Sequence, residues 1–319
     1  MQKLHGANMC FIVAPNGDIA CAKRTAILEE AEAGSFFGAN EVRHRLRPQL
    51  HTLRALALES LPTADPNTAS LAVYGEIFGG HYPHDDVPAT PSVGPVQTGV
   101  WYCPGIEFSV FDVALGPGED RAYFNIPDVI RMCEAAGILC TQVLFTGSLQ
   151  ACLDYSPKFQ TAMPGRLGLP ALENNFAEGV VIRPTEEFIV TTPKGMRRPL
   201  VKNKIVEFAE NLEYHGAVKP DAAVGGGALQ ELEWEVVARV NDSRVAAAIS
   251  KLGPVAMDNR EQMRALLAVV VRDVVDQLEE DGVGGLEQLG EMERAQLMQL
   301  TETECKKVIV PYLRKRRAL

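Results

Sequence analysis

Lys3 is the first residue of this sequence whose type and setting suggest chemistry. It opens residues 3–8, whose sequence KLHGAN has the form K-x-H-G-x-N. A neutral lysine amine can attack a phosphate and form a covalent phosphoramidate. A lysine three residues before a glycine is also a common surface residue beside a turn. Lys3 is therefore a candidate nucleophile only if other segments of the chain supply the remaining parts of a site for phosphate chemistry.

Further charged residues lie at the ends of predicted strands or inside apolar ones. They are Arg24, Glu76, Glu178, Lys202 and Lys204. A buried charge is costly unless it is paired, so we expect Glu76, in the apolar run 70–78, to meet a ligand or a metal-bound water. A strand end that faces solvent is the alternative. Lys202 and Lys204 lie two residues apart and so point to one side of a strand, where they need an anion between them, or solvent.

Together these side chains favour transfer of a nucleotidyl group to Lys3. Lys202 and Lys204 would favour the neutral amine and would balance the charge that grows on the phosphate oxygens. A magnesium ion held by Glu178 or Glu76 and by triphosphate oxygens would assist the departure of pyrophosphate. The pattern G-x-x-x-x-G-K-[ST] does not occur in the sequence, which excludes a P-loop enzyme.

The elements that must position these residues are predicted from apolar periodicity and turn residues. Apolar runs at 8–13 and 18–23 flank turn-forming residues, which predicts a hairpin that returns Arg24 towards the lysine. The helical spacing of leucines over 40–60 predicts a helix, broken early by Pro48. Further strands are predicted at 70–78, 107–114, 138–145, 178–184, 187–192 and 200–204, and further helices at 126–136 and 148–155.

An aromatic residue in the strand at 107–114 could stack on a nucleotide base. The candidate is Phe111, which directly precedes Asp112. The alternative for either Phe108 or Phe111 is a residue of the hydrophobic core. The sequence alone leaves open which of the two phenylalanines faces a ligand.

The character of the sequence changes after residue 215. Residues 216–228 are rich in glycine and resemble a linker. Beyond them the strand pattern ends, and apolar residues recur at helical spacing, most clearly over 263–278. Residues 301–304, Thr-Glu-Thr-Glu, could cap a last helix. We therefore predict an α+β domain over 1–215, the linker, and an all-helical domain over 229–319.

The charge of the chain is unevenly distributed. The net charge is −10 and the pI is about 5.2, which argues against a general nucleic-acid binder. Three basic segments, 43–54, 194–204 and 314–317, contain no acidic residue. Such local potential can bind a polyanion, and a solvated face is the alternative for each segment.

The cysteines and the hydropathy indicate the cellular compartment that we expect for the protein. The seven cysteines include no C-x-x-C pair, and we interpret them as reduced residues of an intracellular protein. No run of ~18 apolar residues and no secretory signal is visible, so we expect no membrane partner. The expected location is cytoplasmic by default, with an organelle as the alternative.

Six short motifs in order carry a resemblance to a known family. They are K-x-H-G-x-N at 3–8, K-R-T at 23–25, Y-G-E-x-F-G-G at 74–80, F-x-V-F-D at 108–112, E-G-V-V-I-R-P at 178–184 and L-V-K-N-K at 200–204. The segment VQTGVWY at 96–102 adds to them. The chain resembles the covalent nucleotidyltransferases, and within them the RNA ligase 2 family, which includes the bacteriophage enzyme and the kinetoplastid RNA-editing ligases. The resemblance covers about residues 1–210, and more loosely the helical domain.

The resemblance implies a fold and a set of roles. The fold would be the ligase adenylation domain, mixed α+β with antiparallel sheets and flanking helices, followed by a small helical domain. Lys3 would take the adenylyl group, and Lys202 and Lys204 would contact the α-phosphate. Asn8 and Arg24 would lie near the phosphate and the RNA end.

The resemblance also implies cofactors and a reaction. Glu76 would be the ribose-side or metal-side carboxylate, Glu178 a metal-side carboxylate, and Phe111 the aromatic that stacks on adenine. ATP would donate AMP with the help of Mg²⁺ or Mn²⁺. Three steps are implied: formation of lysyl-AMP, transfer of AMP to a 5′-phosphate RNA end, and attack by a 3′-hydroxyl. The implied partners are RNA, above all a nicked duplex, and the proteins of an RNA repair or editing complex.

Two alternatives to an RNA ligase remain at this point. One is an RNA-end-binding protein of the same fold with an impaired site. The other is a DNA ligase or an mRNA-capping type of nucleotidyltransferase, which shares the lysine chemistry. In the family some tens of residues precede the lysine, whereas here only Met1 and Gln2 do, so we expect the natural protein to extend upstream of this sequence.

Overall fold

The structure is a computed structural model that describes residues 1–23, 26–118, 120–192, 195–208, 232, 235–237, 239–280, 286 and 289–318. The chain divides into two compact units, Met1–Ile205 and Val206–Leu319. The first unit contains the strands β1 (Gln2–Lys3), β2 (Ala7–Val13), β3 (Ile19–Lys23), β4 (Ala26–Ile27), β5 (Ser70–His81), β6 (Cys103–Gly116), β7 (Ala122–Tyr123), β8 (Gly179–Ile182), β9 (Val190–Thr192), β10 (Gly195–Arg197) and β11 (Val201–Lys204).

An antiparallel sheet of six strands forms the main layer of the first unit. Its order is β4-β3-β2-β5-β6-β7. The predicted hairpin is confirmed as β2 and β3, and the predicted strand at 70–78 is the central strand β5. Alternate residues of β2, among them Met9 and Phe11, are completely buried on one face of the sheet, as the period of a half-buried strand requires.

A smaller sheet carries the residues of interest. Its order is β1-β8-β11, so β8 lies between the strand that holds Lys3 and the strand that holds Lys202 and Lys204. All its pairs are antiparallel. Strands β9 and β10 form a separate two-stranded sheet.

Among its described residues, the first unit has the helices α1 (Glu30–Ser35), α2 (Ala39–Ser60), α3 (Ile126–Ala136), α4 (Leu149–Leu153) and α5 (Met163–Arg166). The prediction that Pro48 breaks the second helix is wrong, because α2 continues through it. A proline inside a helix costs ~3 kcal/mol. Packing of a buried face that includes Val42, Leu50 and Leu53 on the large sheet offsets that cost.

The arginines of α2 hold the helix to its neighbours. Arg43 Nη2 lies 2.6 Å from Glu30 Oε1, and Arg45 Nη1 lies 2.6 Å from Glu107 Oε1. Arg54 donates to two carbonyls in the loop that precedes β5. These guanidinium groups of the basic segment 43–54 are thus bonded within the first unit.

The prediction of a strand at 138–145 is wrong. This segment makes only an isolated bridge, between Cys140 and Val110 of β6. Further along, the carbonyl of Gln142 accepts a hydrogen bond of 3.1 Å from the backbone of Gln2 in β1. The segment thus divides its backbone hydrogen bonds between two sheets and forms a regular ladder with neither.

The second unit is helical. A short 3₁₀ helix, Val206–Phe208, precedes α6 (Asp242–Leu252), α7 (Arg260–Glu280) and α8 (Glu291–Arg317). The predicted helical face over 263–278 is confirmed, since Leu266, Val270, Val274 and Leu278 are buried. The predicted linker 216–228 lies outside the described residues. The predicted α+β fold with antiparallel sheets and a helical C-terminal region is confirmed.

The prediction that residues 301–304 begin the last helix is wrong, because they lie inside α8. Thr301 is buried, and its hydroxyl donates to the Leu297 carbonyl one turn earlier at 2.8 Å, an alternative to capping for a helical threonine. The N-cap of the helix is Gly290, whose N–H donates to Glu293 Oε2 at 2.8 Å. In the described part of the chain, no helix is both long and apolar enough for a membrane span.

Candidate active site

The pairing of the small sheet brings Lys3 and Lys204 to one carboxylate. Both lysines lie opposite Gly179 in the strand register, on its two sides. Lys3 Nζ is 2.6 Å from Glu178 Oε2, and Lys204 Nζ is 3.4 Å from Glu178 Oε1. A Cβ on Gly179 would lie 2.2 Å from the Asn203 carbonyl oxygen, at a φ of +146°. Glycine at this position therefore allows β11, and with it Lys204, to approach Glu178.

Glu178 is held ionised by the cations around it. Its burial alone would raise its pKa, but the hydrogen bond and charge of His5 and the charges of Lys3 and Lys204 outweigh this effect. They hold the pKa of Glu178 well below its usual value. His5 Nδ1 lies 3.4 Å from the same oxygen that Lys3 contacts. The sequence motif contained His5, but we assigned it no role, because its contact with Glu178 spans most of the first unit.

A second carboxylate, Glu76, lies on β5 opposite Asn8 of β2. Its Oε1 accepts a hydrogen bond of 3.1 Å from the backbone N–H of Gly6. Loss of hydration raises the pKa of Glu76 to about 7, the charge of Glu178 adds to this, and Lys3 and Lys202 act against it. Lys202 thus acts electrostatically on the carboxylate that the sequence analysis grouped with it.

We expect a pH-dependent effect of Glu76 on stability. The folded-state pKa of about 7 exceeds the ordinary value of 4.5, so the folded protein binds this proton more tightly than the unfolded chain. The contribution of Glu76 to the free energy of unfolding therefore falls as pH rises from about 4.5 to about 7. The variant Glu76→Gln should be more stable than the native protein above pH 7 by on the order of 1 to 3 kcal/mol, with the difference vanishing near pH 4.

Urea unfolding of the first unit at several pH values measures this difference. Glu59→Gln, which changes an exposed glutamate of α2, is the control and should show no such trend. A Glu76→Gln advantage that is constant with pH would contradict the raised pKa.

The two phenylalanines of β6 have different environments. Phe108 is 1% exposed and packs edge-on against Phe11 at a centroid distance of 4.8 Å, so it is a core residue. Phe111 is only partly buried. Val110 pairs with Gly75 and Asp112 pairs with Tyr74, which leaves Phe111 as the extra residue of a β-bulge. A bulge re-aims a side chain, and this one lies opposite Tyr74 and Gly75, the two residues that precede Glu76 on β5.

A network of ions around the buried Asp112 lies next to Phe111 in the sequence. Asp112 accepts hydrogen bonds from Arg198 Nη1 at 2.6 Å and from Arg198 Nη2 at 3.2 Å, and it lies 3.3 Å from Arg183 Nη1. Both arginines also pair with Glu187. The basic segment 194–204 had been a candidate for polyanion contact, but Arg198 is committed to this network. No local sequence pattern predicted this network, because its members lie far apart in the chain.

The ring of Tyr123 covers one end of the network. The guanidinium carbon of Arg198 lies 3.6 Å from the centre of that ring, a cation–π contact. Tyr123 in turn stacks on Tyr74 of β5 at 5.8 Å. The ions and aromatic rings thus link β5, β6 and β7 to the segments that follow β8 and β10.

The structure unites most of the predicted site residues. Lys3 and Lys204 both contact Glu178, and the charges of Lys3, Glu178 and Lys202 act on Glu76. Asn8 lies opposite Glu76, and Phe111 lies near it in the register. Arg24, predicted to join Lys3, lies outside the described residues.

The two carboxylates fit a divalent metal only together with a nucleotide. Within the described ranges, no three His, Cys, Asp or Glu side chains converge on one point as a metal cage. Magnesium usually binds one or two carboxylates plus phosphate oxygens and water. Glu178 and Glu76 supply hard oxygen ligands of that number, so the donor set suits Mg²⁺ or Mn²⁺ that arrives with a triphosphate.

Family models match both units of the chain. The model described as RNA ligase matches residues 1–204. The model described as T4 RNA ligase 2 C-terminal matches residues 227–307. The first match contains every candidate site residue.

Curated relatives include two mitochondrial proteins of Trypanosoma brucei brucei. RNA-editing ligase 1 is 25% identical over 301 residues, which cover 79% of this chain and 63% of the relative. RNA-editing ligase 2 is 26% identical over 201 residues, which cover 57% of this chain and 47% of the relative. The chain thus spans less than two thirds of the length of these relatives.

Similarity to solved structures is weaker, so the family assignment rests on sequence. A lysine-to-alanine mutant of Naegleria gruberi RNA ligase with ATP and Mn is 13% identical, with a TM-score of 0.37 over 64% of this chain and 48% of that chain. An archaeal ATP-dependent RNA ligase is 13% identical, with a TM-score of 0.35 over 94% of this chain and 67% of that chain.

Proposed function

The chain belongs to the RNA ligase family, and from this premise we propose that it is an ATP-dependent RNA ligase. It joins a 3′-hydroxyl to a 5′-phosphate through a covalent lysyl-AMP intermediate on Lys3. The observation that carries the proposal is the arrangement of Lys3, Lys204 and His5 around Glu178. This arrangement places the Lys3 amine beside basic side chains and a carboxylate, and such groups suit the binding of a triphosphate and its metal ion.

The first step is attack by Lys3 Nζ on the α-phosphorus of ATP. The N–P bond forms, the bond between the α-phosphorus and the bridging oxygen breaks, and pyrophosphate leaves. The amine must lose its proton before it attacks. Glu178 directs the amine by accepting its hydrogen bond at 2.6 Å, and Lys202 and Lys204 balance the charge that grows on the α-phosphate.

Two further steps return the enzyme to its starting state. A 5′-phosphate of RNA attacks the phosphorus of lysyl-AMP, which frees Lys3 and forms an adenylylated RNA end. A 3′-hydroxyl then attacks that end, and AMP leaves as the phosphodiester forms. In our proposal Phe111 stacks on adenine, and Asn8 and Arg24 contact the phosphate or the RNA end.

Glu178 and Glu76 would hold the Mg²⁺ or Mn²⁺ that accompanies ATP. When bound, the metal supplies positive charge to the triphosphate and the leaving pyrophosphate. Glu76, with a pKa of about 7, can release its proton to solvent near neutral pH, and a bound cation would then take the place of that proton.

We propose that the helical domain over 229–319 engages the duplex, while residues 1–215 carry the chemistry. The match of residues 227–307 to the T4 RNA ligase 2 C-terminal model supports this division. A role in RNA repair or editing, inside the cell and with protein partners, belongs to the same proposal. It is supported by the two editing ligases among the relatives and by the free thiols of all seven cysteines.

Sealing of nicked duplexes tests the proposal. With ATP and Mg²⁺, the protein should seal a nick with an RNA 3′-end faster than an all-DNA nick by about tenfold or more, since a 2′-hydroxyl is what distinguishes the two. A duplex without a 5′-phosphate is the control and should not react. Equal sealing of both nicks would favour a DNA ligase, and RNA binding without adenylylation would favour an impaired RNA-end-binding protein.

A further inference from the structure

The loop between β1 and β2 is held by side chains from distant segments. The backbone N–H of His5 donates to the Tyr102 hydroxyl at 2.9 Å. The next N–H, that of Gly6, donates to Glu76 at 3.1 Å, and Gln97 Nε2 donates to the Gly6 carbonyl at 3.5 Å. The path of the chain from Lys3 to Asn8 is therefore fixed through its backbone.

The loop also lies in close contact with β5. A Cβ on Gly6 would lie 2.2 Å from the Ile77 carbonyl oxygen and 2.9 Å from Glu76 Cγ. The loop therefore cannot move closer to β5. The hydrogen bonds on its backbone oppose movement away from that strand, and the shortest of the three is the one to Tyr102.

Tyr102 is itself held in place. It is 1% exposed, and its ring packs edge-on against Phe78 at 5.1 Å. The side chain of Asn175 binds the backbone of Trp101, the residue before Tyr102. It accepts from the Trp101 N–H at 2.9 Å and donates to the Trp101 carbonyl at 2.6 Å. Asn175 is 5% exposed, and a buried amide that uses both its donor and its acceptor fixes one orientation.

Asn175 connects this clamp to the other side of the site. It precedes Glu178 by three positions, and its carbonyl accepts from the Thr161 N–H at 2.9 Å. The Thr161 hydroxyl accepts from the side chain of Gln2 at 2.6 Å, and Gln2 directly precedes Lys3. The chain of contacts thus joins the segment before Glu178 to both sides of Lys3.

We propose that Tyr102 and Asn175 are positioning residues for adenylyl transfer: they hold the Lys3 loop and the Glu178 segment in fixed relation. This inference rests on the proposed function. Neither side chain touches the reacting atoms, so their removal should slow the chemical step and leave ATP binding unchanged.

The test uses Tyr102→Phe, which removes one hydroxyl from the full chain. Single-turnover labelling with α-phosphate-labelled ATP and Mg²⁺ should show a maximal rate reduced about ten- to hundredfold, because small misplacement of a reacting group costs that much, with the ATP concentration at half-maximal rate unchanged. Hydrogen exchange followed by mass spectrometry should show faster exchange in the peptide that contains His5. Asn175→Asp, which replaces the amide donor with an oxygen facing the Trp101 carbonyl, should reproduce both effects.

Tyr82→Phe is the matched control. Tyr82 is a buried tyrosine whose hydroxyl donates to the Pro170 carbonyl, away from the lysine loop. It should change neither the maximal rate nor exchange at His5. Equal slowing by Tyr82→Phe, unchanged exchange at His5 in Tyr102→Phe, or a higher ATP requirement without a slower maximal rate would each overturn the inference. If the native chain takes no label, the proposed function fails, and exchange at His5 still decides whether the clamp exists.

Discussion

Replacement of Lys3 with arginine is expected to abolish covalent labelling by ATP while the fold persists. Lys3 Nζ lies 2.6 Å from Glu178 Oε2, and arginine can keep that ion pair. A guanidinium group stays protonated in proteins and so cannot attack the α-phosphorus. Label from α-phosphate-labelled ATP should therefore fall by about a thousandfold or more, as measured on denaturing gels.

Two further variants separate the chemistry from the structure. Lys251→Arg changes a lysine of the helical unit that also contacts a carboxylate, Asp273, at 3.4 Å, and should keep full labelling. Lys3→Ala should lose the label and also some stability, because Glu178 loses its nearest cation. Label that persists in Lys3→Arg would show that another residue is the nucleophile.

The largest expected effect on stability is that of Asp112→Asn. Asp112 is 4% exposed and contacts both Arg183 and Arg198. Removal of its charge leaves two partly buried guanidinium groups with Glu187 as their remaining carboxylate partner in the network. Loss of one partner of a buried ion pair is strongly destabilising, and we expect the free energy of unfolding of the first unit to fall by about 2 to 4 kcal/mol. Urea unfolding, followed by hydrogen exchange in peptides of β6, measures the change.

Asp128→Asn is the control for this experiment. Asp128 also pairs with an arginine, Arg131, at 3.1 Å, but both side chains are exposed on α3. An exposed pair of this kind contributes about 1 kcal/mol or less. Equal effects of the two substitutions would mean that burial of the Asp112 network contributes nothing to stability.

Elements whose sequence pattern is local could be predicted from the sequence alone. Alternating apolar residues and a turn predicted the hairpin of β2 and β3, and helical spacing over 263–278 predicted α7. Glu76 was recognised because a charge within an apolar strand needs a partner. Lys3, Glu178 and Lys204 were grouped by residue type and by their positions in predicted strands, and the family resemblance supported that grouping.

The features that could not be predicted depend on contacts between distant segments. Pro48 does not end α2, because tertiary packing outweighs one lost hydrogen bond. The bulge that separates Phe111 from Phe108 is a property of the β5–β6 pairing, which a single strand does not reveal. Arg198 was grouped with the phosphate-binding cations because its partners, Asp112 and Glu187, lie in other segments.

The central claim is that Lys3 carries the adenylyl group. Its most direct test is mass spectrometry of peptides after incubation of the protein with ATP and Mg²⁺ in the absence of RNA. We expect one adenylyl adduct, located on Lys3, which disappears when a nicked RNA duplex with a 5′-phosphate is added. An adduct on Lys202, on Lys204 or on any other residue, or no adduct under these conditions, would contradict it.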